Sequence, residues 1–164
     1  MNVRFEKLRA EDIDDVLPRL FLILYENMTD ILPTGCSYES DRGIWLKYIT
    51  PRIEAEEVSI LLMLVGDQIV GYFQYCLQGE ILWAEEVEIK PEFQRSKLFY
   101  LFCCHMRDWK PTRVRYVKSY VHKDNQKSIL IHEHLGMERI GENDKKTSWL
   151  YCGNALKMDA CLRR

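Results

Sequence analysis

The feature that most constrains this chain is the run from Ile81 to Gly136. A β-rich segment (Ile81–Ile89) stops at Pro91, and Leu98, Leu101/Phe102, His105/Met106 and Trp109 then repeat at helical spacing. Pro111 ends that helix, Val114–Val121 reads as another strand, and Asp124 or Asn125 can cap a further helix that runs to Leu135 and stops at Gly136. A strand that returns to the sheet through a helix needs a crossover, which allows a locally parallel pair. The helix after Pro91 is expected over Gln94–Trp109.

The elements before this run are of another kind. Val3, Phe5 and Leu8 suggest an opening strand. Glu11–Asn27 carries Ile13, Val16, Leu17, Leu20 and Leu24 at helical spacing, with Pro18 as the expected kink. Ser37–Ile53 forms a second helix with apolar stripes at Ile44/Tyr48 and Leu46/Ile49. Ser59–Val65 and Gln68–Leu77 flank Gly66-Asp67 and read as an antiparallel hairpin. Gln78-Gly79-Glu80 turns the chain into Ile81–Ile89, and Met137–Ile140 with Thr147–Cys152 forms a last hairpin. The order βααβββαβαββ gives an α/β (mixed α+β) fold whose sheet is mostly antiparallel, with helices on both faces. Residues 1–153 are expected to form one domain, with residues 154–164 as an unassigned tail.

Composition limits the functional classes. With 164 residues, 47% hydrophobic and 29% charged, the chain can bury a sizeable core without staples. Its net charge of −2 argues against general nucleic-acid binding, although Arg113, Arg115 and Lys118 form a local basic group. No apolar stretch approaches a bilayer span, and the first residues lack a basic-then-apolar leader pattern. The six cysteines show no CxxC pair, which fits reduced thiols and a cytoplasmic setting. Cys103, Cys104 and His105 are adjacent on a helix and point about 100° apart, so they converge poorly on one ion and no metal is expected.

Two segments carry candidate chemistry. Glu85-Glu-Val-Glu-Ile-Lys-Pro-Glu-Phe-Gln-Arg-Ser-Lys-Leu-Phe99 runs from strand through turn into helix. A helix start offers N–H donors and a positive dipole end, a natural seat for phosphate, and Lys90, Arg95 and Lys97 stand close by. In the second segment Asn125, Ser128 and His132 fall on one helix face.

These segments resemble the GNAT family, the Gcn5-related N-acetyltransferases. Glu86-Val-Glu-Ile-Lys-Pro-Glu-Phe-Gln94 is similar to the family's "ELxVxPEYQ", and Val121 through Asn125, Ser128 and His132 to Gly136-Met137 resembles "VxxxNxxAxxxYxxxGF". The resemblance covers about residues 3–152. It departs at the pyrophosphate loop, usually Q/R-x-x-G-x-G/A, where Gln94-Arg-Ser-Lys-Leu-Phe99 has neither glycine. Glycine is favoured there because a side chain hinders close approach of backbone to ligand, and Phe99 has to find room in the helix packing. His132 stands where a tyrosine is common.

The resemblance implies an acetyl-CoA-dependent transfer of acetyl to a primary amine, on a small molecule or a peptide, by direct attack. It places the pantetheine arm in a gap between the strands ending near Ile89 and Val121. The Val87 N–H would polarise the thioester carbonyl, and Ile89 would hold the pantetheine amide. The amides of Gln94, Arg95, Ser96, Lys97, Leu98 and Phe99 would receive the pyrophosphate. Asn125 would contact the pantetheine, with Ser128 filling a small-residue position. Glu85 or Glu86 would accept the amine proton, the two facing opposite sides of the strand. His132 would supply a proton to the departing thiolate or would be a plain helix histidine. Trp83, Tyr25, Tyr38, Tyr72 and Tyr75 would line an acceptor pocket or belong to the core. Dimers are common in the family, so a homodimer is compatible. A catalytically degenerate binding or regulatory protein on the same fold is the competing reading.

Overall fold

The structure is a computed structural model that describes residues 2–161. These residues form seven strands and five α-helices. In chain order they are β1 (Val3–Lys7), α1 (Ile13–Met28), α2 (Tyr38–Glu54), β2 (Ser59–Val65), β3 (Gln68–Gln78) and β4 (Ile81–Ile89), followed by α3 (Leu98–Trp109), β5 (Tyr116–His122), α4 (Gln126–His134), β6 (Glu138–Glu142), β7 (Ser148–Asn154) and α5 (Ala155–Cys161). The strands follow the order β1-β2-β3-β4-β5-β7-β6 in one sheet. β1·β2, β2·β3, β5·β7 and β6·β7 are antiparallel, and β4·β5 is parallel. The expected class and element order are thus present. The addition is α5, which occupies most of what the sequence left as a tail; residues 162–164 of that tail lie outside the described residues.

The chain divides into two compact units. One takes the chain up to Tyr75 together with Glu86–Leu101, and the other takes Cys76–Glu85 and the chain from Phe102 onward. In the first unit, Ile13, Val16, Leu17 and Leu20 of α1 are buried, as their spacing predicts, in a core shared with Ile60, Leu62, Leu64 and Tyr72. The α-helix continues through Pro18. α2 begins at its cap Ser37, whose side chain accepts from the Ser40 N–H at 3.3 Å.

Of the two stripes expected on α2, Leu46/Ile49 packs into the core and Ile44/Tyr48 does not. Ile44 and Tyr48 are exposed, whereas Trp45 and Ile49 are buried and Ile53 packs with them. Trp45, Ile49 and Ile53 are spaced four apart, and that row outweighs the Ile44/Tyr48 pair because it buries the larger surface. Tyr48 instead takes a hydrogen bond from Arg52 at 2.7 Å.

The β2–β3 hairpin turns at Gly66, whose φ of +61° is a left-handed backbone that glycine adopts without Cβ strain. A register shift follows, Met63 pairing with Gly71 and Leu64 with Ile69. In the second unit, Val121, Ile129, Met137 and Tyr151 form the core, with Val117, Leu135, Trp149 and Met158 packed on it. α5 is tied down by an ion pair between Lys110 and Asp159.

Candidate functional site

The first unit holds the end of β4 and the loop that follows. Pro91 opens a 3-10 turn over Pro91–Phe93, and α3 starts only at Leu98. The expected start at Gln94 is therefore too early by four residues. Ser96 explains the delay. Its hydroxyl donates to the Phe93 carbonyl at 2.6 Å and accepts from the Leu98 N–H at 3.1 Å, a local bond pattern that competes with helix. Lys97 then supplies the carbonyl that accepts from Leu101.

The loop amides are not equivalent. Those of Gln94 and Ser96 donate to Pro91 and Phe93 carbonyls, and Leu98 donates to Ser96. Of the six amides expected to face a ligand, those of Gln94, Ser96 and Leu98 thus have partners within the loop. Arg95, Ser96 and Lys97 are exposed, Leu98 is fully buried and Phe99 half-buried. Among the described residues only Glu56 and Lys146 combine a side chain with positive φ. The glycine-free loop thus follows a path that does not require glycine backbone, although its side chains still occupy the surface.

The Gln94 side chain is engaged within the protein. Its side-chain amide donates to Asn27 Oδ1 at 2.7 Å and to the Ile89 carbonyl at 3.0 Å. Asn27, on α1, donates in turn to the same Ile89 carbonyl at 3.0 Å and to Glu88 Oε2 at 2.6 Å. Two donors fill both lone pairs of that carbonyl. Ile89 can therefore meet a ligand through its N–H, not its C=O. Nothing in the spacing of the sequence singled out Asn27 or Glu88.

Strand alternation places Glu86 and Glu88 on one face of β4, and the contacts agree. Glu86 Oε2 accepts from Tyr72 OH at 2.7 Å, while Glu88 faces Asn27. Glu85 and Val87 are half-buried and Ile89 is buried. Of the aromatic candidates in this unit, Tyr72 and Tyr75 are buried, and Tyr25 and Tyr38 pack edge-to-face with ring centres 4.9 Å apart against the α1/α2 core. They are core residues.

The second unit holds α4. Asn125 is its cap, Oδ1 accepting from the Ser128 N–H at 3.0 Å. At the other end Gly136 (φ +75°) donates to Glu133 and Met137 donates to His132, which closes the helix in a Schellman motif. Asn125→Ala is expected to cost about 1 kcal/mol of stability in chemical denaturation, whereas Asn125→Asp keeps the cap acceptor and the stability.

His132 is pinned at both nitrogens. Nδ1 lies 2.7 Å from the Ser128 carbonyl, which only accepts, so Nδ1 carries a proton. Nε2 lies 2.7 Å from Ser119 Oγ and, in the neutral ring, accepts from it. Ser119 is buried, on the inward face with Val117 and Val121. A buried polar residue in that register demands a partner, the one signal in the sequence that such a contact exists, though it does not say with which residue. This geometry makes the histidine a staple between α4 and β5.

Burial lowers the His132 pKa, opposed by the bond to Ser128. The unfolded chain, with the ordinary value, binds the proton more readily, so stability falls as pH drops below about 6.5, until the folded-state value is passed. His132→Gln, which cannot titrate, is expected to show a shallower loss of Tm between neutral and mildly acid pH than the parent.

Trp83 of β4 stacks on Tyr120 of β5 with ring centres 5.9 Å apart, and Lys118 Nζ lies 5.6 Å from the Trp83 ring. Trp83 itself is half-buried. Lys118, from the basic group, is thus spent on an indole. Cys103 is buried and its thiol is pushed up to about 12, which keeps it protonated and unreactive. Among the described residues no group of three or more His, Cys, Asp or Glu is placed to hold a metal ion. Nor is any described helix long and apolar enough to cross a membrane.

Comparison of the sequence with protein-family models and with curated proteins returns no match. Solved structures do match. An acetyltransferase from Thermus thermophilus is similar with a TM-score of 0.74 at 15% identity, over 94% of this chain and 97% of that one. The PaiA N-acetyltransferase of Thermoplasma acidophilum, in complex with coenzyme A, gives 0.68 at 14% identity over 94% and 99%. An aminoglycoside acetyltransferase, also in complex with coenzyme A, gives 0.65 at 11% identity over 97% and 98%.

Proposed function

From the GNAT fold that this chain shares with those acetyltransferases, we propose that it is an acetyl-CoA-dependent N-acetyltransferase acting on a primary amine of a small molecule or peptide. The observation that carries the reading is the loop into α3. It presents Arg95 and Lys97, both exposed, beside a helix start whose dipole end favours a pyrophosphate. The coenzyme A complexes of two proteins with this fold support the choice of cofactor.

In this reading the Val87 N–H polarises the thioester carbonyl and the Ile89 N–H meets the pantetheine arm, which lies as an added strand. Asn125, whose Oδ1 caps α4, is assigned to the pantetheine or cysteamine part of the cofactor. Ser128 supplies a small side chain at the same helix start. A carboxylate of β4, Glu85 or Glu86, takes the proton of the attacking amine. Catalysis rests on proximity and on stabilising the oxyanion. No metal enters this scheme, and a homodimer is compatible with it.

The test is release of the coenzyme A thiol from acetyl-CoA in the presence of a panel of primary amines. Amine-dependent release supports the proposal; no release with any amine overturns it. The alternative, a binding protein on the same fold without transfer, is favoured by one observation, that both nitrogens of His132 are engaged inside the protein. It predicts ligand binding without thiol release.

A further inference from the structure

We propose that Tyr72 is a positioning residue, holding the Glu86 carboxylate in the orientation in which it takes the proton of the acceptor amine. The inference rests on the transferase reading above and deepens it, because it chooses between the two carboxylates that the sequence left open.

Tyr72 has no exposed surface and is locked into the core of the first unit with residues of α1, α2 and β2. Its hydroxyl therefore cannot follow a moving partner, and it donates to Glu86 Oε2 at 2.7 Å. A rigid donor on one oxygen fixes the plane of the carboxylate. Tyr72 also stays a donor. Burial first, and then the neighbouring charges of Glu86 and Glu88, raise its pKa well above the usual tyrosine value.

The carboxylates that share this face of β4 have different anchors. Glu88 belongs to the network of Asn27, Gln94 and the Ile89 carbonyl, which joins α1 to the end of β4 and the following loop. That is a scaffold connection. Glu86 is aimed by a phenol. In the step assigned to it, the ammonium of the acceptor gives its proton to Glu86. The freed nitrogen lone pair then forms the N–C bond to the acetyl carbon, the C–S bond breaks with its electron pair on sulfur, and the second proton shed by that nitrogen goes to the departing thiolate, which leaves as the coenzyme A thiol.

A hydrogen bond to the ionised form lowers a carboxyl pKa, so its removal raises it. The experiment compares the pH profile of kcat/KM and a 13C-carboxyl NMR titration of Glu86 in the parent, Tyr72→Phe and, as a control, Tyr75→Phe. Tyr72→Phe is expected to move the acidic limb and the Glu86 titration to higher pH by about one unit, with KM for acetyl-CoA unchanged and Tyr75→Phe at the parent position. Glu86→Gln, with Tyr72 intact, is expected to remove the limb. Transfer by the parent with the limb unmoved in Tyr72→Phe, or retained in Glu86→Gln, overturns this assignment alone. Absence of transfer by the parent overturns the transferase reading and this assignment with it.

Discussion

Gly71→Ala is expected to destabilise the protein by about 1–3 kcal/mol, lowering Tm by on the order of 5 °C, and to weaken acetyl-CoA binding as well. A Cβ at this position would stand 2.6 Å from the Glu88 carbonyl oxygen and 3.3 Å from the Ile89 Cα. Both neighbours are backbone of β4, so relief requires the strand to shift rather than a side chain to rotate. The shifted stretch is the one assigned to the thioester and pantetheine. Gly153→Ala makes a suitable comparison, since a Cβ there meets the side chains of Met158 and Met137. Flexible thioether chains can move aside, so its cost should be less than half as large. Thermal melts of the two variants, read beside acetyl-CoA titrations, check both parts. An equal cost for the two substitutions would contradict the close strand approach at Gly71.

The second large effect is electrostatic. Reversing both charges in Arg95→Glu/Lys97→Glu should weaken acetyl-CoA binding by at least about tenfold, or about 1.4 kcal/mol, while Tm stays near the parent value. Both side chains are exposed, so their removal breaks no core contact. The negative residues would repel the phosphates at short range, and the difference between parent and variant should shrink at high salt. Equal affinity of the two proteins would remove the pyrophosphate from this loop.

How far the sequence foretold these features depends on how local their causes are. The Ile81–Ile89 strand is bounded by Gly79 and Pro91, and the structure has the same limits. Asn125 and Gly136 mark the ends of α4 because a cap and a Schellman stop are built from adjacent residues. Apolar spacing alone starts α3 four residues early, because it says nothing about a serine that satisfies the Leu98 N–H from outside the helix. On α2, the spacing offers two apolar rows, and only the tertiary core selects Leu46/Ile49 over Ile44/Tyr48.

The candidate site divides along the same line. Lys97, Arg95 and Asn125 were legible as a charged loop and a helix cap. Gln94 was legible as a loop residue, but its side chain answers to Asn27, some 67 positions away along the chain. The engagement of His132 depends on Ser119, thirteen residues earlier. Such pairings join elements that periodicity treats as separate, so spacing alone does not reveal them.

The most direct measurement is isothermal titration of the protein with acetyl-CoA, run on the parent, the Arg95→Glu/Lys97→Glu variant and Asn125→Asp. The account predicts saturable binding to the parent, with both variants weaker, the first through the loop before α3 and the second through the start of α4. No binding of acetyl-CoA to the parent at millimolar concentration would contradict it.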